Sequence, residues 1–246
     1  MNTKPYEEFA KEKLGFEFHD IDLLVTALTH RSYVNEHKKA HGHNERLEFL
    51  GDAVLELVSS DYLYRQYQYP EGIMTAIRAT LVRTESISEA GKELGYAPLV
   101  RLSRGEKNGS ERAHDVIYAD CFEAVIGAIY LDQGYDTARE FIEKHILVKT
   151  ETVAQEESWR DPKSYAQELA QRMEGITPVY HTIGEEGPDH DKTFTVGMYV
   201  GENLRGKGVG HSKQEAQIAA AKEGVEYYRD LWKQKKYAKM KKGNKK

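Results

Sequence analysis

Cysteine is all but missing: Cys121 stands alone in 246 residues. That excludes an internal disulfide framework and a Cys-rich zinc site, and it suits a reducing, cytoplasmic setting. Cys121 itself lies inside an apolar helical run, where a small buried hydrophobe is a simpler role than a nucleophile. Long apolar runs are also missing, with none of about 18 residues or more, so no membrane span is expected. The opening MNTKPYEEFAKEKLGFEF lacks a charged-then-apolar leader pattern, which argues against export. Basic residues are in deficit over most of the chain. The formal charge is −5, yet the last fourteen residues, KQKKYAKMKKGNKK, hold eight Lys and no acid, so residues 1–232 carry −13. Such a tail reads as disordered, and either as a solubilising end or as an electrostatic hook for a polyanion.

What is present is helical periodicity followed by a change of pattern. Apolar spacing predicts helices within 21–29, 46–66, 75–95, 116–131 and 135–147, separated by turn chemistry at 69–72, 95–98 and 132–134. The polar, glycine-bearing SRGEKNGSERAHD, 103–115, reads as a loop. After Pro162 a short helix, KSYAQELAQRM, precedes three candidate strands at 178–183, 193–200 and 204–210. A final Ala-rich helix starts at an N-cap, Ser212. The fold class is therefore α+β: an all-α unit over 1–152, a polar linker at 153–160, an α-β-β-β-α unit over 161–230, and the Lys-rich tail at 231–246.

Two helices carry acid where acid is costly. In NERLEFLGDAVLEL, 44–57, Leu47, Leu50, Val54 and Leu57 form the apolar stripe at about 100° per residue. Glu45, Glu48, Asp52 and Glu56 stack on the opposite side. Like charges three or four positions apart destabilise a helix unless a cation sits among them. Phe49 lies beside these acids, off the apolar stripe. In VIYADCFEAVIGAIYL, 116–131, a helix apolar nearly all round carries Asp120 and Glu123 on one face with Ala124 and Gly127. Two buried, ionised carboxylates need partners. Arg or Lys side chains are one answer, and a hard divalent metal is the other. If the two helices cross, Glu48, Asp52, Asp120 and Glu123 would meet as a four-carboxylate cluster of the kind that supports metal-assisted phosphodiester hydrolysis. A di-iron bundle would take Glu-x-x-His motifs, and none is present. His41 and His43 precede the first motif, but hard Mg²⁺ does not seek imidazole.

NERLEFLGDAVL, 44–55, resembles the signature motif of the ribonuclease III family. Ala119-Asp120-Cys121-Phe122-Glu123-Ala124 resembles its second acidic motif, and EGIMT, 71–75, a third element. The 161–229 segment is similar to a double-stranded RNA-binding domain in the order these enzymes use. The resemblance implies an all-α endonuclease domain that hydrolyses double-stranded RNA, leaving 5′-phosphates, 3′-hydroxyls and two-nucleotide 3′ overhangs. It implies Mg²⁺, with Mn²⁺ as substitute, held by Glu48, Asp120, Glu123 and Asp52. Asp52 and Glu123 would be the catalytic pair, and no small-molecule organic cofactor is implied. Glu45 and Glu71 would line the cleavage valley, and Phe49 would plug a socket on the second subunit of a homodimer.

In the second unit the resemblance implies RNA contacts from Ser164, Gln167, Glu168, Gln171, His190 and Lys213. Such domains read the minor groove, where 2′-hydroxyls mark RNA, over roughly 16 base pairs. Ribosomal precursor processing and messenger turnover are the expected roles, and a non-cleaving RNA-binding relative is the alternative. Three departures stand out. QYQYP before Glu71 is short for the family. Gln214 replaces a common Lys. Over 161–229 there are eight basic and eleven acidic residues, an acidic balance for an RNA binder.

Overall fold

The computed structural model describes residues 2–37, 40, 42–157, 159–188 and 191–243, with side chains up to Gln234. The chain divides into two compact units, Met1–Trp159 and Arg160–Lys246. The first is helical throughout: α1 (Lys4–Phe9), α2 (Ile21–Ala27), α3 (Arg31–Glu36), α4 (Glu45–Gln66), α5 (Glu71–Leu81), α6 (Thr84–Leu94), α7 (Arg104–Lys107), α8 (Glu111–Gln133), α9 (Tyr135–His145) and α10 (Thr150–Gln155). The helix α8 is its axis. Phe122, Val125, Ile126, Ala128 and Ile129 are fully buried, as an all-round apolar helix requires. At roughly 1.5–3 kcal/mol per large side chain, this helix anchors the unit. Against it pack α2, α4, α6 and α9.

The closest approach is to α4, and two glycines set it. A Cβ on Gly51 would lie 1.7 Å from the Glu123 carbonyl oxygen, and one on Gly127 would lie 2.2 Å from that of Leu47. Each helix thus presents bare backbone to the other at one crossing point. The polar start of α4 is also anchored there. Asn44 is buried, its N–H donates to the Thr29 carbonyl (2.9 Å) and its Nδ2 donates to Cys121 Sγ (3.7 Å).

Three expectations need correction in this unit. Leu57, placed on the apolar stripe, is 58% exposed at the edge of that stripe. The polar stretch 103–115 is largely helical rather than a loop. Ser103 Oγ accepts from Glu106 N–H to start α7, and Ser110 Oγ accepts from Ala113 N–H to start α8. These serines are N-caps, which the glycine content obscured. The continuous 75–95 periodicity is in fact α5 and α6, broken at Val82–Arg83.

The second unit contains α11 (Pro162–Glu174), β1 (Val179–Glu186), β2 (Thr193–Val200), β3 (Asn203–Gly210) and α12 (Lys213–Gly243). Its strands form one antiparallel sheet in the order β1-β2-β3, with Val196 opposite both Thr182 and Gly208. The inward face of β2, with Val196, Met198 and Val200 buried, packs with Ala166, Ala170, Ala216, Ala220 and Tyr228. Glycine has a specific use in β3. A Cβ on Gly206 or Gly208 would come within 2.2 Å of the α12 backbone at Ala220. The Gly-rich strand and the Ala-rich helix are complementary surfaces that allow close packing. The last helix runs from Lys213 to Gly243; the side chains beyond Gln234, and so most of the Lys-rich tail, lie outside the described residues. No Gly or Pro interrupts 225–242, and Ala, Gln, Lys, Met and Glu favour helix. Among the described residues no helix is long and apolar enough to cross a membrane.

Candidate active site

The glycine crossing brings two acidic faces together. On α4, Glu48 lies three residues before Gly51. On α8, Glu123 offers the carbonyl that Gly51 approaches, and Asp120 precedes it by three residues. Carboxylate oxygens of Glu48, Asp120 and Glu123 all lie within 4.8 Å of one another, each side chain half-buried. Asp52, one turn beyond Glu48, is exposed and flanks this trio rather than joining it.

The electrostatics show how crowded the trio is. Burial, then the charges of Asp52, Asp120 and Glu48, push Glu123 up to about 8. Burial raises Glu48 as well, helped by Asp120, Glu45 and Asp52. Burial also raises Asp120, with His30 partly opposing it. Like charges at this range cannot all ionise without a counter-charge. Among the described residues, none of the four acids makes an ion pair or side-chain hydrogen bond. That removes the Arg or Lys answer. An all-oxygen donor set with no His or Cys fits a hard divalent ion of the Mg²⁺ or Mn²⁺ kind.

A model described as Ribonuclease-III-like matches residues 20–150, and one described as Double-stranded RNA binding motif matches residues 162–228. The chain is 42% identical to Ribonuclease 3 of Desulforamulus reducens, across 91% of this chain and 92% of that protein. It is also 42% identical to Ribonuclease 3 of Oceanobacillus iheyensis, across 92% and 98%. This chain belongs to the ribonuclease III family. The fold agrees: the nuclease domain of ribonuclease III from Campylobacter jejuni superposes with a TM-score of 0.50 at 38% identity, covering 56% of this chain and 96% of that one. That structure is described as showing flexibility in a region involved in dimer formation. The acidic crossing therefore lies in a ribonuclease III-type endonuclease domain, followed by a double-stranded RNA-binding domain.

The remaining candidates occupy different surroundings. Glu45 is exposed and lies 3.4 Å from Arg31 and 3.7 Å from His43. Glu71 is exposed in the first turn of α5, where it accepts from Thr75 Oγ1 (3.0 Å), outside the clustered trio. Phe49 is 80% exposed, and Leu57 (58%) and Tyr64 (73%) lie within a quarter turn of it along α4. Ser164, Gln167, Glu168 and Gln171 share the exposed side of α11. Glu168 is held by Arg160 (2.8 Å) and Arg172 (2.6 Å), and Gln171 donates to Thr177 Oγ1 (3.0 Å). Lys213, exposed at the start of α12, lies 3.4 Å from Glu185 and over the Phe194 ring. His190, like His41, lies outside the described residues.

Several residues that build the site escape sequence reasoning. Gly51 and Gly127 set the helix separation, and Asn44 pins the start of α4 to α8. His30 faces the acids from the segment before α3. Its Nδ1 accepts from Ser32 N–H, which leaves the ring proton of the neutral form on Nε2. Asn44 and Gly51 stand within the 44–55 motif, but nothing local marked their packing roles. Nothing local marked His30.

Proposed function

We propose that this chain is a Mg²⁺-dependent endoribonuclease, with Mn²⁺ as substitute, that hydrolyses both strands of double-stranded RNA. The observation that carries this reading is the convergence of Glu48, Asp120 and Glu123 within 4.8 Å, with no ion pair to any of them among the described residues. These three side chains would hold the ion. A divalent ion at that position supplies positive charge to the scissile phosphate and acidity to nearby water. Asp52, exposed on the solvent side, would orient water by accepting a hydrogen bond, and Glu123 would complete the catalytic pair. Glu45 and Glu71 would line the valley in which the duplex lies.

The working form would be a homodimer. The exposed Phe49, Leu57 and Tyr64 on one side of α4 favour a protein partner there, with Phe49 entering a socket on a second copy. Each subunit would then cut one strand, giving 5′-phosphates, 3′-hydroxyls and two-nucleotide 3′ overhangs. Ser164, Gln167, Glu168, Gln171, His190 and Lys213 would contact the duplex from the second unit. The setting would be cytoplasmic, in ribosomal precursor processing and messenger turnover.

The test is incubation with a long RNA duplex with and without Mg²⁺, beside Glu123→Ala. Changing a residue that merely supports a metal ligand costs about 10–100-fold, so loss of a ligand itself should cost more than ~100-fold in cleavage rate. No Mg²⁺-dependent cleavage by the unmodified protein would overturn the enzyme reading, in favour of a non-cleaving RNA binder. Equal cleavage by both proteins would overturn the site.

A further inference from the structure

The sheet of the second unit has two faces, and the helices account for one. Val196, Met198 and Val200 of β2 turn inward to α11 and α12, so Thr195, Gly197 and Tyr199 turn outward. On that outward face Val179, Leu204 and Val209 remain 46–56% exposed. The residues offered above as duplex contacts, apart from His190, belong to α11 and α12 on the other side.

At the centre of the outward face one side chain is missing. The register puts His181 of β1 and Lys207 of β3 on either side of Gly197. Tyr199 leans into the gap. A Cβ on Gly197 would lie 2.7 Å from Tyr199 Cε2 and 3.3 Å from its Cζ, and 2.9 Å from Leu204 Cδ1. The His181 ring stands 5.6 Å from the Tyr199 ring, tilted by 56°. The strand thus backs the tyrosine from below, while the ring stays part-exposed above.

The charge around this ring has one sign. Residues 179–184, 195–199 and 204–209 contain no Asp or Glu, although 161–229 holds eleven. Glu223 of α12 accepts the Lys207 backbone N–H (2.9 Å), and the exposed Lys207 ammonium makes no ion pair among the described residues. An aromatic ring beside an unpaired cation is the pairing that holds single-stranded nucleic acid: a base stacks on the ring and a phosphate meets the cation. A duplex keeps its bases stacked inside, whereas an unpaired nucleotide can offer one to an exposed ring. The core of a protein-docking surface is instead depleted of charge.

We propose that the outward sheet face, centred on Tyr199 between His181 and Lys207, binds unpaired nucleotides of RNA, with a base on Tyr199 and a phosphate at Lys207. This face would hold a single-stranded flank while the helical side of the unit holds a duplex. The site does not depend on the cleavage reading, and the test separates the two.

Binding of a labelled single-stranded RNA of about 12 nucleotides, without self-complementarity, would be measured by fluorescence anisotropy with the full chain in EDTA. Tyr199→Leu keeps an apolar cover over Gly197 and removes the stacking face. Loss of one stacked base should weaken binding roughly 5- to 150-fold, and Tyr199→Phe should retain it. Lys207→Gln should take about 0.7 from the slope of log affinity against log salt. Neither Tyr199→Leu nor Lys207→Gln should change the affinity for a blunt-ended RNA duplex.

Unchanged single-strand affinity and salt slope in both variants would overturn the platform. So would equal losses for single strand and duplex, which would mark damage to the whole domain. Should Tyr199→Leu fail to fold, the salt slope of Lys207→Gln decides alone. Unchanged RNA binding with self-association lost in Tyr199→Leu, read by sedimentation, would give the face to a second copy of the chain instead. A chain that holds single strands through Tyr199 yet fails to cut duplex in Mg²⁺ would lose the nuclease reading and keep this one.

Discussion

Two carboxylate environments in this chain follow opposite rules. In the second unit, Glu174 is fully engaged. Its Oε1 accepts from Tyr228 O–H (2.6 Å) and Arg205 Nε (2.9 Å), and its Oε2 accepts from Arg205 Nη2 (2.8 Å). That arrangement ties the end of α11 to β3 and α12. At the α4–α8 crossing, Glu48, Asp120 and Glu123 crowd together, yet among the described residues none has an ion-pair or side-chain hydrogen-bond partner, and Glu123 is pushed up to about 8. Where packing alone is at stake, this fold pairs its acids. Where it leaves them unpaired and perturbed, the cluster has the electrostatic character that functional sites share, which is what the proposed metal site would require.

The sharpest way to break the comparison is to move the unpaired acids apart. Gly51→Ala puts a methyl group against the Glu123 carbonyl. Overpacking of this kind costs typically 1–3 kcal/mol, and here the neighbour is backbone, so about 3 kcal/mol or more is expected. Both the thermal midpoint and RNA cleavage should fall. Retained cleavage would mean that the helix separation does not set the site. Next in size, Glu174→Gln removes the charge from the satisfied cluster and leaves Arg205 unpaired. Breaking a fully buried pair costs about 3–5 kcal/mol, and since Glu174 and Arg205 are each 19% exposed, roughly 2–3 kcal/mol is expected. Chemical denaturation of the second unit should show the loss, with cleavage by the first unit intact at saturating RNA.

How much of this was legible beforehand follows from what each feature depends on. The core helices were readable because α4 and α8 carry their burial in their periodicity, and β2 was readable at 193–200 because its alternation is local. The acids could be singled out because charge on an apolar helix is anomalous without any structure. That Glu48 meets Asp120 and Glu123 depends on a crossing fixed by Gly51 and Gly127, one glycine on each of two distant helices, and no local window contains both. The caps at Ser103 and Ser110 were visible as residues, yet Gly105 and Gly109 beside them favoured a loop. The bulge at Thr182–Gly184 lets β1 run on to Glu186, three residues past the expected end. His30 reaches the acids only through tertiary packing.

A smaller effect sharpens the comparison through pH. Glu123 has its folded-state pKa raised above the ordinary carboxylate value, so the folded state binds the extra proton between roughly 4.5 and 8. Stability without metal must then fall as pH rises through that window, and the whole penalty is present only above about 8. Glu123→Gln removes it. In EDTA the variant should be more stable than the unmodified protein by about 1–2 kcal/mol near pH 8, after allowance for solvent reaching the site. The gain should vanish near pH 5. Added Mg²⁺ should raise the midpoint of the unmodified protein and not that of the variant. A variant equally or less stable at pH 8 would mean that the trio is not electrostatically strained.

The smallest effect comes from an acid of the same helix that is paired. Glu56 stacks with Glu45, Glu48 and Asp52 in sequence, yet it lies 3.0 Å from Arg78 of α5, with both side chains more than a quarter exposed. A pair of that kind contributes about 0.2–1 kcal/mol. Glu56→Gln should therefore barely shift the thermal midpoint and should leave Mg²⁺-dependent cleavage unchanged. If Glu56→Gln instead impaired cleavage as Glu123→Ala does, the division between paired structural acids and unpaired functional ones would fail on a single helix. Position along α4 does not decide what a carboxylate does there. The cation it faces, or the lack of one, does.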